Sequence, residues 1–218
     1  MENFALLYIP DISGFTKFVT QTEIEHSSGI ISDLIKVIIK SNISGFRVSE
    51  IEGDSVLFYL LGSPPSVEEI INQSKRTFID FHATVKVMER DFDCDCGACC
   101  SVSNLTLKFI THFGECKEVS IQNFTKLIGS DVILVHKLLK NSVPDREYIL
   151  LSEKYLESQQ SMLTLQEDWI KIKSNIEVLE DFGEVNIKYI SLTPLKYLVP
   201  EPHQSEALKT AREPNEIR

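Results

Sequence analysis

No apolar stretch in these 218 residues approaches the ~20 that a helix needs to cross a bilayer, which argues against a membrane-spanning chain. The opening segment MENFALLYIP has no basic region and too short an apolar run for a secretory signal, so the expected location is cytoplasmic. Basic residues are scarce: 22 Lys and Arg stand against 32 Asp and Glu, a formal net charge of −10. Neutralising a nucleic-acid backbone takes clustered Lys and Arg, so no nucleic-acid partner is expected. A small anionic ligand stays open, because metal ions and a few local cations can hold one. The chain has no internal repeat and no linker long enough to set off a second domain. What is present, 43% hydrophobic and 25% charged residues, is the balance of a soluble globular domain. That domain is expected over residues 1–198, followed by a flexible polar tail, 199–218, that holds Pro200, Pro202 and Pro214.

The hydrophobic pattern gives an element order. Residues 4–9 read as a short buried strand. Ile30, Ile31, Leu34, Ile35, Ile38 and Ile39 recur as pairs every four residues, one face of a helix. Residues 46–51 and 55–61 read as strands joined at Glu52-Gly53-Asp54, a tight hairpin signal. A second helix is expected over 66–90, behind Pro64-Pro65, with Val67, Ile71, Phe78, Phe81, Val85 and Met88 on one stripe. LTLKFITH, residues 105–112, alternates like a strand, and a short run follows Gly114 to about Ile121. The resulting β-α-β-β-α-β order is a ferredoxin-like α+β core. Beyond it come a helix near 130–140, a strand near 148–152, a short helix from about 153, and strands near 176–180 and 185–192.

This order has a geometric consequence. A right-handed crossover makes the first two strands parallel, and the third returns antiparallel between them. The end of the first strand then lies beside the hairpin joining the second and third. Asp11 stands at the one place and Asp54 at the other, 43 residues apart in sequence. Two carboxylates that close repel, and a divalent cation removes the repulsion. Magnesium suits such a site, since it takes carboxylate oxygens together with substrate phosphates. The backbone amides of Ile12, Ser13, Gly14, Phe15 and Thr16, at a helix start, would add an anion site beside it. The alternative is plainer: Asp11 caps the following helix and Gly53-Asp54 is ordinary turn chemistry.

The same stretches carry a resemblance. YIPDISGFT resembles the first-strand motif of class III adenylate and guanylate cyclases, and SEIEGDSVLFY their Gly-Asp hairpin. LTLKFITHFGE is similar to their fourth strand, IGSDVILVHKLLKNS to their G-x-x-V-N-x-A-x-R helix, and EDFGEVNIKYISL to their C-terminal strand pair. The match runs over about residues 4–195, in a branch that carries a cysteine-rich insertion at 93–101 before the fourth strand.

The resemblance implies a nucleoside triphosphate as ligand, with Mg²⁺ or Mn²⁺ held by Asp11 and Asp54 and the Ile12 backbone beside them. It places Glu50 and Lys126 at the base-recognition positions, although Lys126 fits neither the adenylate nor the guanylate pattern. It puts Ile133 where the family has Asn and Lys137 where it has the transition-state Arg. Ile133 has no hydrogen bond to give a ribose or phosphate, and Lys137 lacks the planar fork of Arg. Lys188 falls near the family's phosphate-contacting lysine, where a solvated surface lysine is the competing reading. The family shares each site across a dimer, so a homodimer is implied. Three functions follow: an active cyclase, a nucleotide-binding domain with weak or lost cyclase activity, or a non-catalytic interaction domain. The lost Asn and Arg favour the second over the first, and the aspartate pair favours both over the third.

CDCGACC, with Cys94, Cys96, Cys99 and Cys100, is either a zinc site or a loop of reduced thiols. His112 or Cys116 is a candidate to complete it. His26, His82, His136 and His203 show no partner pattern and are expected as surface or core residues.

Overall fold

The apolar run at the start continues further than expected, as strand β1 (Phe4–Ser13), an interior strand of a seven-stranded sheet. The computed structural model describes residues 3–92, 96–159 and 167–202. Pro10 lies inside β1, and the ladder to β3 (Ser55–Leu61) lapses at Ile9 and Pro10 before resuming at Asp11. Proline has no N–H to give a ladder, so the strand tolerates it where pairing on one side is interrupted.

The elements then follow in order. A short helix α1 (Phe15–Thr20) and the long α2 (Ile24–Lys40) lead to β2 (Arg47–Glu52), and β3 returns beside it. Helix α3 (Val67–Asp91) opens with a capping box. The Ser66 hydroxyl accepts from the Glu69 N–H at 3.2 Å, and the Glu69 carboxylate accepts from the Ser66 N–H at 2.7 Å. Two N–H groups that a helix start leaves orphaned are thereby satisfied. Helix α4 (Gly97–Ser101), β4 (Thr106–Glu115), a hairpin of β5 (Lys117–Ile121) and β6 (Phe124–Ile128), and α5 (Ser130–Lys137) come next. Strand β7 (Tyr148–Ser152), helix α6 (Glu153–Glu157), and β8 (Ile172–Leu179) with β9 (Gly183–Ser191) complete the order.

The sheet order is β2-β3-β1-β4-β7-β9-β8, antiparallel except where β4 meets β7. The β-α-β-β-α-β core is therefore present, with the third strand between the first two as the crossover rule requires. Two corrections concern the middle of the chain. β4 runs through Gly114 to Glu115, and the single short run expected after it is a two-stranded hairpin of its own. Of the expected tail, 199–218, residues 199–202 are described and residues 203–218 lie outside the described residues.

Alternation along β1 divides the core. Leu6, Tyr8 and Ile12 face the layer that holds Leu34, Phe78 and Phe81 of the long helices. Ala5, Leu7 and Ile9 face the layer that holds Val135 and Leu138. Each fully buried Leu, Ile, Val or Phe among them contributes about 1.5–3 kcal/mol. Asp11 keeps the odd-numbered parity and so faces the α5 side, where a polar group in a buried row needs a partner.

Candidate functional site

Asp11 is only 8% exposed, and its neighbour across the ladder on β4 is Lys108. The Lys108 ammonium lies 3.2 Å from the Asp11 carboxylate and donates to the Leu139 carbonyl at 2.8 Å. Burial pushes the Asp11 carboxyl up from its ordinary range, with Lys108 working against that rise. Sequence reasoning missed Lys108, although a cation in the alternating run LTLKFITH was a visible departure from an apolar strand.

The hairpin brings in the second carboxylate. Gly53 has φ 58°, the left-handed region that glycine enters without a Cβ clash, and Asp54 follows it in the turn. Asp11 is the register partner of Ser55, and the Ile12 N–H donates to the Asp54 carbonyl at 3.0 Å. Burial, then the Asp11 charge, push the Asp54 carboxyl up to about 6. The two aspartates thus sense each other where the end of β1 meets the β2–β3 turn. The Phe15 ring lies 3.6 Å from where a Gly53 Cβ would stand, so the loop after β1 packs on the hairpin turn.

That loop supplies fewer donors than expected. The Ile12 N–H donates to the Asp54 carbonyl and Ser13 is the register partner of Thr106 on β4, which leaves the turn from Gly14 to Thr16 as the candidate anion cradle. Gly14, with φ 93°, makes the bend into α1. α1 has only six residues, so its end is a weak dipole and the loop amides matter more.

A second group forms around β2, β6 and α5. A bulge between Val48 and Glu50 re-aims β2 at this point. Glu50 lies 3.7 Å from the Lys126 ammonium and 3.5 Å from His136 Nε2, and His136 Nδ1 lies 3.7 Å from Glu52. The structure therefore brings Glu50 and Lys126 together. It also gives His136 acidic partners that spacing alone did not reveal. Ile133, on the same helix, is 56% exposed. Lys137 is turned to the β8–β9 connection, where Asp181 pairs with it and the Phe182 ring lies 5.9 Å away. Lys188 is set apart from all of these. It is exposed on β9 and lines a cleft of about 860 Å³ with Glu153, Ser174 and Asn186.

The cysteine tract changes partners. Cys96 and Cys99 gather with His26 of α2, their ligand atoms all within 4.8 Å of one another. His26 thus belongs to a cluster, contrary to the expectation that it has no partner. Cys100 is exposed outside this group, and Cys94 lies outside the described residues. His112 and Cys116 do not complete it. His112 is held between the Ser152 hydroxyl at 2.7 Å and Asp131 at 2.9 Å, and Cys116 is buried beyond the end of β4.

Asp131 is the anchor of α5. It takes His112 Nε2 at 2.9 Å, the Lys154 ammonium at 2.7 Å and the Glu115 N–H at 2.9 Å. An ionised carboxylate only accepts, so His112 Nε2 carries the proton. Burial works to raise the Asp131 carboxyl, but these three donors outweigh it and hold it well below the usual range. Gly114 makes the contact possible: a Cβ there would stand 2.3 Å from the Asp131 side chain. Asp131→Ala is expected to destabilise the fold by about 3–5 kcal/mol, because it leaves buried donors uncompensated. A depressed carboxyl stabilises above its unfolded value near 3.8 and loses that contribution as pH falls towards its folded value. Asp131→Asn should therefore flatten the acid limb of a urea-denaturation profile below pH 4; an unchanged acid limb contradicts the assignment.

Comparison with known proteins bears on the family and the fold. The family described as "Protein of unknown function (DUF2652)" matches residues 31–148. "Uncharacterized protein Rv2561/Rv2562" of Mycobacterium tuberculosis (strain ATCC 25618 / H37Rv) is 31% identical over 149 residues, covering 68% of this chain and 67% of that protein. Among solved structures, the guanylate cyclase domain of RhGC from Catenaria anguillulae in complex with GTP is 13% identical, with TM-score 0.52. That match covers 87% of this chain and 97% of the other. The adenylyl cyclase CyaB from P. aeruginosa is 16% identical with TM-score 0.53, covering 86% and 93%. At such identities the likeness establishes a shared fold.

Proposed function

Because the chain belongs to the DUF2652 family and has the fold of class III cyclase catalytic domains, we propose that it binds a nucleoside triphosphate with a divalent metal ion and has weak or lost cyclase activity. The observation that carries this reading is the convergence of Asp11 and Asp54 where the end of β1 meets the β2–β3 turn, with the Asp54 carboxyl pushed up to about 6 by burial and by Asp11. Lys108 offsets only part of that charge, since Asp54 remains raised despite it. Two hard oxygen donors with a shared excess of negative charge suit Mg²⁺ or Mn²⁺. Such an ion, when bound, would polarise a phosphate and lower the pKa of a ribose hydroxyl.

The chain's own residues would do the rest. The Gly14–Thr16 amides would donate to phosphate oxygens next to the carboxylates. Glu50 offers acceptors and Lys126 a donor to a base, which must open their ion pair as it enters. Ile133 offers nothing to a ribose, and the Lys137 charge is engaged by Asp181. These two features favour binding over turnover. A homodimer would bring the Asp11/Asp54 half of one protomer to the Glu50/α5 half of another. Exposed Ile51, Ile128 and Ile133, each more than half exposed, support that pairing.

The test is a thermal-shift panel of the common nucleoside triphosphates with and without Mn²⁺. One or more triphosphates should raise Tm only when metal is present. A panel with no shift leaves a non-catalytic interaction domain as the better reading.

A further inference from the structure

The cysteine tract and His26 play no part in the nucleotide reading, yet they form the one group of metal-donor side chains of this kind among the described residues. His26 Nδ1 lies 3.2 Å from Cys96 Sγ and 3.8 Å from Cys99 Sγ. Tetrahedral zinc with ordinary bond lengths sets its sulfur–nitrogen edges at about 3.6 Å and its sulfur–sulfur edges at about 3.8 Å. The observed separations bracket the first of these. The three donors come from elements 70 residues apart in sequence, so the fold has gathered them rather than the local spacing alone.

Three further features belong to a built site. The Cys99 N–H points at Cys96 Sγ at 3.4 Å, the kind of donor that supports a thiolate ligand. The Glu23 carboxylate, three residues before His26, reaches both Cys96 and the Ala98 N–H. Gly97 allows the close approach: a Cβ there would meet the Gln21 carbonyl at 3.3 Å and the Thr22 side chain at 3.6 Å. Helix α4 is thereby pressed onto the connection between α1 and α2.

We propose that His26, Cys96 and Cys99 supply three of the four ligands of one zinc ion, with a water molecule in the fourth place, and that this ion staples the start of α2 to α4. Two thiolates and an imidazole form a borderline-soft donor set, which selects zinc over the hard cations that suit the aspartates. Binding deprotonates the two thiols and releases their protons to solvent, and no oxidation is involved. The staple lies behind the loop that follows Asp11, so its role is to hold α1 and α2 in place rather than to act on a substrate.

The experiment uses the full chain, purified under reducing conditions, with zinc measured by elemental analysis and then exchanged for Co²⁺. One zinc per chain is expected, and the cobalt form should show the intense red-region absorption of a tetrahedral site with thiolate charge transfer. His26→Ala and Cys99→Ser should weaken zinc binding more than about 100-fold, beyond what loss of an outer hydrogen bond does. Cys100→Ser, Cys116→Ser and Asp11→Ala should keep the zinc, which separates this proposal from the nucleotide reading. If the ligand variants fail to fold, the wild-type cobalt spectrum decides alone. A wild-type chain that takes up neither ion overturns the proposal. So does a weak octahedral cobalt spectrum, a Cys96–Cys99 disulfide in the reduced preparation, or His26→Ala that retains zinc.

Discussion

Replacing Ile133 by Asn and Lys137 by Arg, together with Asp181→Ala, is expected to raise cyclic-nucleotide formation by on the order of 10²–10³ for each restored group. The reasoning starts from α5, whose Ser130–Lys137 span puts positions 133 and 137 four residues apart on one face. Ile133 is exposed there, so an Asn needs no repacking of the core. Lys137 is different, because Asp181 holds its charge at the β8–β9 connection. An Arg introduced alone would meet the same carboxylate, which is why the third substitution belongs in the design. The readout is conversion of a triphosphate to a cyclic monophosphate with Mn²⁺ present. A triple variant that binds nucleotide as the wild type does, yet stays inactive, contradicts the reading of a cyclase that has lost its transition-state residues.

The second large effect concerns Asp54 and pH. Its carboxyl is raised from 3.8 to about 6, so the folded chain holds this proton to a higher pH than the unfolded chain does. Folding therefore gains from the proton between about pH 4 and 6, and stability falls as pH rises through that window. Above it, the metal-free protein carries two charged aspartates beside a single Lys108. Asp54→Asn should remove this falling limb and make the metal-free protein more stable than wild type at pH 8. Millimolar Mg²⁺ or Mn²⁺ should stabilise the wild type at pH 8 and do little at pH 5, since a protonated carboxyl gives up its place to no cation. Denaturation midpoints at both pH values, with and without metal, check this. Equal metal stabilisation at pH 5 and pH 8 would count against an aspartate site.

Much of this was legible in the residues. The crossover rule placed Asp54 beside Asp11 from element order alone, because hydrophobic periodicity is strong in β1, α2 and α3 and handedness admits one arrangement. The Gly53-Asp54 dipeptide named its own turn. Lys108 was not read as a partner, because cross-strand register between β1 and β4 depends on where each strand ends, and β1 ran on to Ser13 through Pro10. The β5–β6 hairpin escaped for a related reason: Gly114 looked like a break, whereas it is a close-packing position beneath Asp131 inside β4. His26 was invisible as a cluster member, since its partners arrive from α4, 70 residues on, and no spacing links them. Asp181 lies in a turn that sequence pattern marks only as polar. Long-range side-chain encounters, in short, were the part that pattern did not carry.

Titrating a nucleoside triphosphate into the full chain by calorimetry, with Mn²⁺ present, tests the central claim most directly. The wild type should bind one triphosphate per half-site pair only when metal is present, and Asp11→Asn/Asp54→Asn should abolish that heat while leaving the fold intact. Binding of equal strength in the double variant, or none in the wild type, would contradict the account.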